Sequence, residues 1–234
     1  MQRIPEPELM DTDAQAAAYA HADFEQPHNM FIQLFREAFP GVAPAGHVLD
    51  LGCGPADISI RFVRAFPGCT IDAVDGAAQM LKYGRIAVDE AGLGQRIRLI
   101  QAYLPSVTLP RTTYDVVISN SLLHHLREPM VLWNTVEHFA GAGAPVFIMD
   151  LMRPDRVDRA RELVEEYASG EPDVLRQDFF NSLLAAYTVD EVRQQLEHTG
   201  LDHLDVQAAS DRHLIISGRL EPVGVSGSGL RVSS

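Results

Sequence analysis

Residues 48–59 read VLDLGCGPADIS: an apolar strand runs into Asp50, then Gly52 and Gly54, and then a helix that starts near Asp57. Two glycines in such a junction let bare backbone come close to a ligand or a neighbouring element. A dinucleotide fingerprint needs a third glycine where Asp57 stands. An acid at a helix N-terminus repels a pyrophosphate, and no G-K-[ST] follows to make a phosphate loop. Asp50 and Asp57 suit a positive charge instead, an ammonium or a sulfonium. The next apolar run ends on Asp75, where an acid accepts hydrogen bonds from both hydroxyls of a ribose. Together these residues describe a site for a nucleoside that carries positive charge and no phosphate.

Further along, SLLHHLREP offers His124 and His125, and VFIMD ends on Asp150, with Arg153 just beyond. An imidazole with an ordinary pKa of roughly 6.5 takes a proton from a hydroxyl or an amine. The same pair can be structural, holding its loop against the helix that follows. Asp150 either faces a substrate or caps the next segment. The nine histidines show no H-E-x-x-H spacing and the two cysteines no pairing pattern, so no metal and no disulfide framework is expected. A single lysine, Lys82, leaves almost no room for Schiff-base chemistry.

These residues need elements to hold them. Residues 13–39 read as two helical pieces; Met30, Phe31, Leu34, Phe35 and Ala38 fall at helical spacing in the second. From residue 46 onward strands alternate with helices: HVLDL, TIDAVD, IRLIQ, YDVVISN and APVFIMD are apolar almost throughout. That rhythm predicts an α/β, doubly wound, Rossmann-like parallel sheet with helices on both faces. Charged helical sequence interrupts it over residues 151–187. Thr188 and Glu191 form a capping-box pattern, and Gly200 ends that helix. Two final strand-like runs complete seven strands, the last expected antiparallel. The boundaries read from this pattern are a helical lid at 1–40, a domain at 41–222 with a helical cap at 151–187, and a disordered tail at 223–234.

The formal net charge of -13 disfavours nucleic acid as partner or substrate. No stretch reaches the roughly 18 apolar residues of a spanning helix, and the N-terminus lacks a signal-peptide core. A cytoplasmic protein without a membrane partner is the expectation, with monomer or homodimer left open.

VLDLGCGPADI followed by IDAVDGAAQML resembles the class I S-adenosylmethionine-dependent methyltransferases, and YDVVISNSLLHHL resembles the fourth-strand segment of their small-molecule branch. The resemblance implies S-adenosyl-L-methionine as cofactor and a small molecule as methyl acceptor at N, O or C. It implies Asp50, Gly52 and Gly54 beneath the methionine part, Asp75 on the ribose, Gly76 and Met80 near the adenine, and Asn120 beside the cofactor. The family often has glycine at Ala56, so ordinary backbone angles are expected there. Its usual Gly-Asp-Ala run is replaced by Ala102, Tyr103 and Leu104, which leaves adenine to backbone groups and the Tyr103 ring. In relatives a lid folds over the cofactor where Tyr19, Asp23, Phe24 and Asn29 stand. For the substrate, Phe24, Asn29, Arg153, Arg176 and Tyr187 are the candidates, with Asp178, Phe179, Phe180 and Asn181 also on the cap. The duller reading of the cap arginines is salt bridges with Glu162, Glu165, Glu166 and Glu171. His124, His125 and Asp150 are the catalytic candidates. The competing readings are a same-fold enzyme that uses the cofactor for other chemistry, a non-catalytic cofactor-binding or interaction protein and, more distantly, an NAD-dependent oxidoreductase, which Asp57 opposes.

Overall fold

The computed structural model describes residues 1–6, 12–22 and 24–221; Asp23 and the tail at 223–234 lie outside the described residues. In chain order the elements are α1 (Asp13–His21), α2 (Glu25–Ala38), β1 (Gly46–Leu51), α3 (Asp57–Ala65), β2 (Cys69–Asp75), α4 (Ala78–Glu90), β3 (Ile97–Gln101), β4 (Val116–Asn120), a 3-10 turn (Leu123–His125), α5 (Met130–Phe139), β5 (Pro145–Leu151), α6 (Val157–Ala168), α7 (Asp173–Ala185), α8 (Val189–Thr199), β6 (Asp205–Ala208) and β7 (His213–Arg219). The sheet has seven strands in the order β3-β2-β1-β4-β5-β7-β6. β1 to β5 run parallel, and β7 is antiparallel to both β5 and β6. The expected sheet is therefore the observed one.

Both faces of the sheet are apolar because successive strand residues point to opposite sides. Val48, Ile71, Val116 and Phe147 turn towards α2, α3 and α4. Leu49, Val74, Val117 and Ile148 turn towards α5 and α8. On the first face, the Phe35 ring of α2 meets Phe62 at 5.0 Å, Phe66 at 5.3 Å and Phe147 at 5.6 Å between centroids. Phe35 is fully buried, so truncating it to Ala costs about 3–5 kcal/mol. That contact seats the N-terminal helices against α3 and β5, beside the end of β1. On the second face the capping box is present: Thr188 accepts from Glu191 N, and the Glu191 carboxylate accepts from Thr188 N. Gly200 closes α8 at φ 72°.

The chain leaves β1 for β2 and β3 on one side, then returns from β3 to lay β4 and β5 on the other. A crevice opens where the two sides part, outside the carboxyl ends of β1 and β4. Three further pieces surround it. The helices α6 and α7 pack on each other through Leu163, Val164, Leu183 and Leu184. α1 rests on α4 through Ala16 and Met80. The first six residues cross from α7 to the 3-10 turn: Ile4 N donates to Leu184 O, and Arg3 donates to Ala185 O, His124 O and Leu126 O.

One backbone expectation is corrected. Ala56 sits at φ 67°, ψ 17°, in the left-handed region rather than at ordinary angles. The turn from β1 into α3 imposes that conformation whether or not glycine is there. An alanine can hold it at a cost of about 1–2 kcal/mol, and its methyl is fully buried.

Candidate functional site

The crevice leads into a cavity of about 700 Å³, within the range of small-ligand sites. The ends of β1, β2 and β4 form its floor, α1 and α2 one wall, and α6 and α7 the other. Tyr19, Phe24, Asn29, Asp50, Gly52, Gly54, Asp57, Asp75, Gly76, Met80, Ala102, Tyr103, Asn120, His124 and His125 all line it. Residues scattered along the sequence thus converge on one space.

The glycine turn is shaped by close approach. A Cβ on Gly52 would lie 2.8 Å from Leu122 Cβ, and the residue sits at φ 73°. Both faults follow from any side chain there, so β1 and β4 can part at this spacing only with glycine. Gly54 donates its N–H to Asp75 Oδ2 at 2.8 Å, and Ala77 N donates to Asp75 Oδ1 at 2.8 Å. The Asp75 carboxylate is thereby fixed between the turn and the start of α4, at the cavity wall. Asn120 ends β4 with its Oδ1 buried and without a hydrogen-bond partner. A buried acceptor left so costs about 1–3 kcal/mol, and a ligand N–H or O–H would relieve it. A fixed carboxylate, an orphaned carbonyl and a turn with two glycines fit a nucleoside with a polar tail. Tyr103 stands at the rim, 54% exposed, where its ring could cover a flat base.

Charge on this side is subtler than the sequence suggests. Asp50 is buried, accepts from Ser59 Oγ at 2.5 Å, and is pushed by burial up to about 7. A cation beside it would restore the anion. Asp57 lines the cavity, but its carboxylate is held by His28 Nδ1 at 2.5 Å and Arg61 Nε at 2.6 Å. Burial raises its pKa, and those two partners more than offset that, so the net shift is downward. The cation that the sequence reading reserved for a ligand at Asp57 is supplied by the chain itself. The bond also ties α2 to α3. Tyr19 stacks on Phe24 at 4.6 Å between ring centroids, and burial pushes its hydroxyl up to about 12.

The opposite end is built around the 3-10 turn. His124 Nδ1 contacts Asp150 Oδ1 at 2.5 Å, and the other Asp150 oxygen accepts from Leu123 N at 2.7 Å. Burial lowers the His124 pKa, but Asp150 and Glu6 more than offset it, so it lies above the ordinary histidine value. Glu6 reaches in from the N-terminal segment, with Ser182 Oγ donating to it at 3.0 Å. Burial pushes its carboxyl up.

Four sequence assignments need correction. Asp150 does not line the cavity; it is 1% exposed behind His124 and orients that ring instead of meeting a substrate. Arg153 turns inward, donating to Ala186 O at 3.0 Å and Glu191 at 2.5 Å, which anchors the exit of β5 to the cap of α8. Arg176 pairs with Glu165 and Asp173 on the outside of α6 and α7. Tyr187 donates to Leu126 O at 2.9 Å and lies under the Arg3 guanidinium, so it braces the 3-10 turn from behind. In each case a buried or paired polar group found its partner within the chain. The cavity instead takes Asp178, Phe179 and Ser182 from α7 and His213 from β7. Asp178 and Phe179 stood among the cap residues read from the sequence; Ser182, His213, Glu6 and His28 carried no local signal.

Comparison with known proteins follows the same lines. Residues 48–142 match the family described as methyltransferase domain. A trans-aconitate 2-methyltransferase of Mycolicibacterium gilvum is 33% identical over 81 residues, 35% of this chain and 28% of that protein. An uncharacterized methyltransferase of Mycobacterium bovis is 27% identical over 132 residues, 56% of this chain and 64% of that protein. The chain thus spans less than two thirds of the length of either relative. The crystal structure of an S-adenosylmethionine-dependent methyltransferase from Aquifex aeolicus superimposes with a TM-score of 0.64 at 17% identity, over 89% of this chain and 98% of that one. At that identity the likeness is one of fold. The matched stretch carries the glycine turn, the acid that ends β2 and the 3-10 turn after β4, all of which line the cavity. Residues 48–142 are thus similar to methyltransferase domains, and the chain shares the fold of S-adenosylmethionine-dependent methyltransferases.

Proposed function

We propose that this protein binds S-adenosyl-L-methionine between the glycine turn and Asp75 and transfers its methyl group to a small-molecule acceptor at N, O or C. The observation that carries the reading is the Asp75 carboxylate, held by Gly54 N and Ala77 N at the cavity wall, with the orphaned Asn120 Oδ1 across the crevice. When bound, the cofactor supplies a methyl group already activated on a sulfonium. The chain's own task is then alignment, exclusion of water and disposal of any acceptor proton. Asp75 accepts from a ribose diol, and Asn120 Oδ1 accepts from the polar tail. Tyr103 covers the base. The acceptor lies on the side of His124 and His125, under Phe179 and Ser182 of α7.

We read residues 1–40 as a lid and 151–187 as a cap over this space. Enclosure by α1, α2, α6 and α7 supports a small acceptor over a polymer, and the net charge of -13 opposes a nucleic acid. No helix among the described residues is long and apolar enough to cross a membrane; a cytoplasmic location is part of the same proposal. Calorimetry with S-adenosylmethionine, S-adenosylhomocysteine and NAD tests the cofactor. A metabolite extract incubated with methyl-labelled cofactor and read by mass spectrometry tests the transfer. Binding of NAD in preference to S-adenosylmethionine, or labelled cofactor consumed with no labelled product, contradicts the reading.

A further inference from the structure

We propose that Glu6, His124 and His125 form a binding site for a divalent transition-metal ion on the acceptor side of the cavity. Glu6 Oε1 lies 3.2 Å from His125 Nδ1 and 3.5 Å from His124 Nε2. One ligand atom from each of the three residues falls within 4.8 Å of the others. Charge-assisted N–H···O bonds are shorter, about 2.7–2.9 Å. Ligands about 2.0–2.2 Å from one ion at near-tetrahedral angles stand about 3.3–3.5 Å apart. The Glu6 distances match the second spacing better than the first.

The surroundings are those of a supported ligand set. His124 gives its other nitrogen, Nδ1, to Asp150 at 2.5 Å. A ligating histidine is commonly oriented by such a carboxylate, which places the lone pair on the opposite nitrogen. Asp150 is itself fixed, accepting from Leu123 N and Leu151 N at 2.7 Å each. Ser182 Oγ donates to the Glu6 carboxylate. Arg3 and Ile4 dock the N-terminal segment that delivers Glu6. Two imidazole nitrogens with one carboxylate oxygen suit zinc, cobalt, nickel or ferrous iron; magnesium and calcium prefer oxygen sets.

Three protein ligands leave room in the coordination shell for water or an acceptor oxygen. His124 and His125 line the cavity, so the class of acceptor this favours is a hydroxyl or enol oxygen. Its proton would be released to solvent as the oxygen binds the ion. That role rests on the methyltransferase reading; metal binding itself does not.

The test is therefore run without cofactor. The full chain, stripped with a chelator, is titrated with ZnCl2 by calorimetry and with CoCl2 by visible absorption. One equivalent of each should bind, with cobalt showing the d–d bands of a low-coordinate nitrogen–oxygen site and MgCl2 giving no saturation. Asp150→Asn should weaken binding about 10–100-fold, and Glu6→Gln and His125→Asn more than that. His203→Asn, on an exposed loop residue, should change nothing. Absence of saturable zinc and cobalt binding overturns the proposal, as does binding that Glu6→Gln and His125→Asn leave intact. If a variant fails to fold, the cobalt spectrum of the unaltered chain decides, and a spectrum without imidazole ligation rejects the site. S-adenosylmethionine affinity, measured separately, reports on the cofactor reading alone.

Discussion

Asp75→Ala is the perturbation that probes the cofactor side most directly. The carboxylate accepts from Gly54 N and Ala77 N, both at 2.8 Å, so it has two duties. It would hold a ribose diol, and it holds the turn to α4. Losing hydrogen bonds to a charged group costs about 1.5–3 kcal/mol, which raises the dissociation constant about 10- to 150-fold. The structural duty is smaller, since Asp75 and Gly54 are only half-buried and water can reach the released amides. A stability loss of about 1–2 kcal/mol is expected. The two effects are separated by measuring both: calorimetric titration with S-adenosylmethionine and S-adenosylhomocysteine, and urea unfolding of the free protein. Both ligands carry the ribose, so both should weaken alike. A folded variant with unchanged affinity for either would refute the ribose assignment. Equal weakening with a stability loss far above 2 kcal/mol would move the residue's main role to the turn.

Three further outcomes follow from the same geometry. Asp50, pushed by burial up to about 7, must lose its proton to face a cation; S-adenosylmethionine affinity should therefore fall as pH drops below 7, by at most about tenfold per unit, and Asp50→Asn should flatten calorimetric affinity against pH. His213 is buried and its pKa is lowered by burial to about 4. Between there and roughly 6.5 the unfolded chain takes a proton the folded chain refuses, so its contribution is complete above about 6.5 and lost as pH falls towards 4, at most about 3 kcal/mol; urea unfolding of His213→Gln should lack that share of the slope. Ala56→Gly should be neutral or stabilising by up to about 1 kcal/mol, because strain relief of about 1–2 kcal/mol offsets the lost methyl; a destabilisation above about 1 kcal/mol in thermal unfolding would mean the residue is not left-handed.

The sheet was legible because its signal is repeated. Five apolar runs separated by helical spacing admit little except a parallel sheet with two covered faces, and each run appears as a strand within two residues of its expected place. That Asp50, Gly52, Gly54 and Asp75 meet on one side of the cavity was legible for a related reason. Asp50, Gly52, Gly54 and Asp75 act through the local turn in which each sits, and such turns demand particular residue types in sequence. Ala56 shows the limit. A preference for glycine is a preference about energy, and the turn kept its left-handed geometry while a small side chain absorbed the strain.

The opposite side of the cavity, around His124 and His125, was not legible because no turn specifies it. Its groups come from the first six residues, the turn after β4, the end of β5 and the inner face of α7. Charged residues near one another in sequence competed for the same role, and pairing decided the outcome. Arg153 and Arg176 found carboxylates within the chain and left the cavity. Glu6 did the opposite: nothing around it in sequence marks it, yet bonds from the Arg3 guanidinium and the Ile4 backbone N–H carry it to two imidazoles. A metal motif sought along the sequence fails for that reason, since two ligands are adjacent and the third arrives from the far end of the chain. The consequence reaches specificity. If the N-terminal segment supplies a wall of the acceptor site, changes at Arg3, behind the cavity lining, should alter which acceptors are used while leaving S-adenosylmethionine affinity nearly unchanged, because Arg3 grips the turn that carries His124 and its hydrogen bonds go to Ala185, His124 and Leu126 rather than to the residues around Asp75.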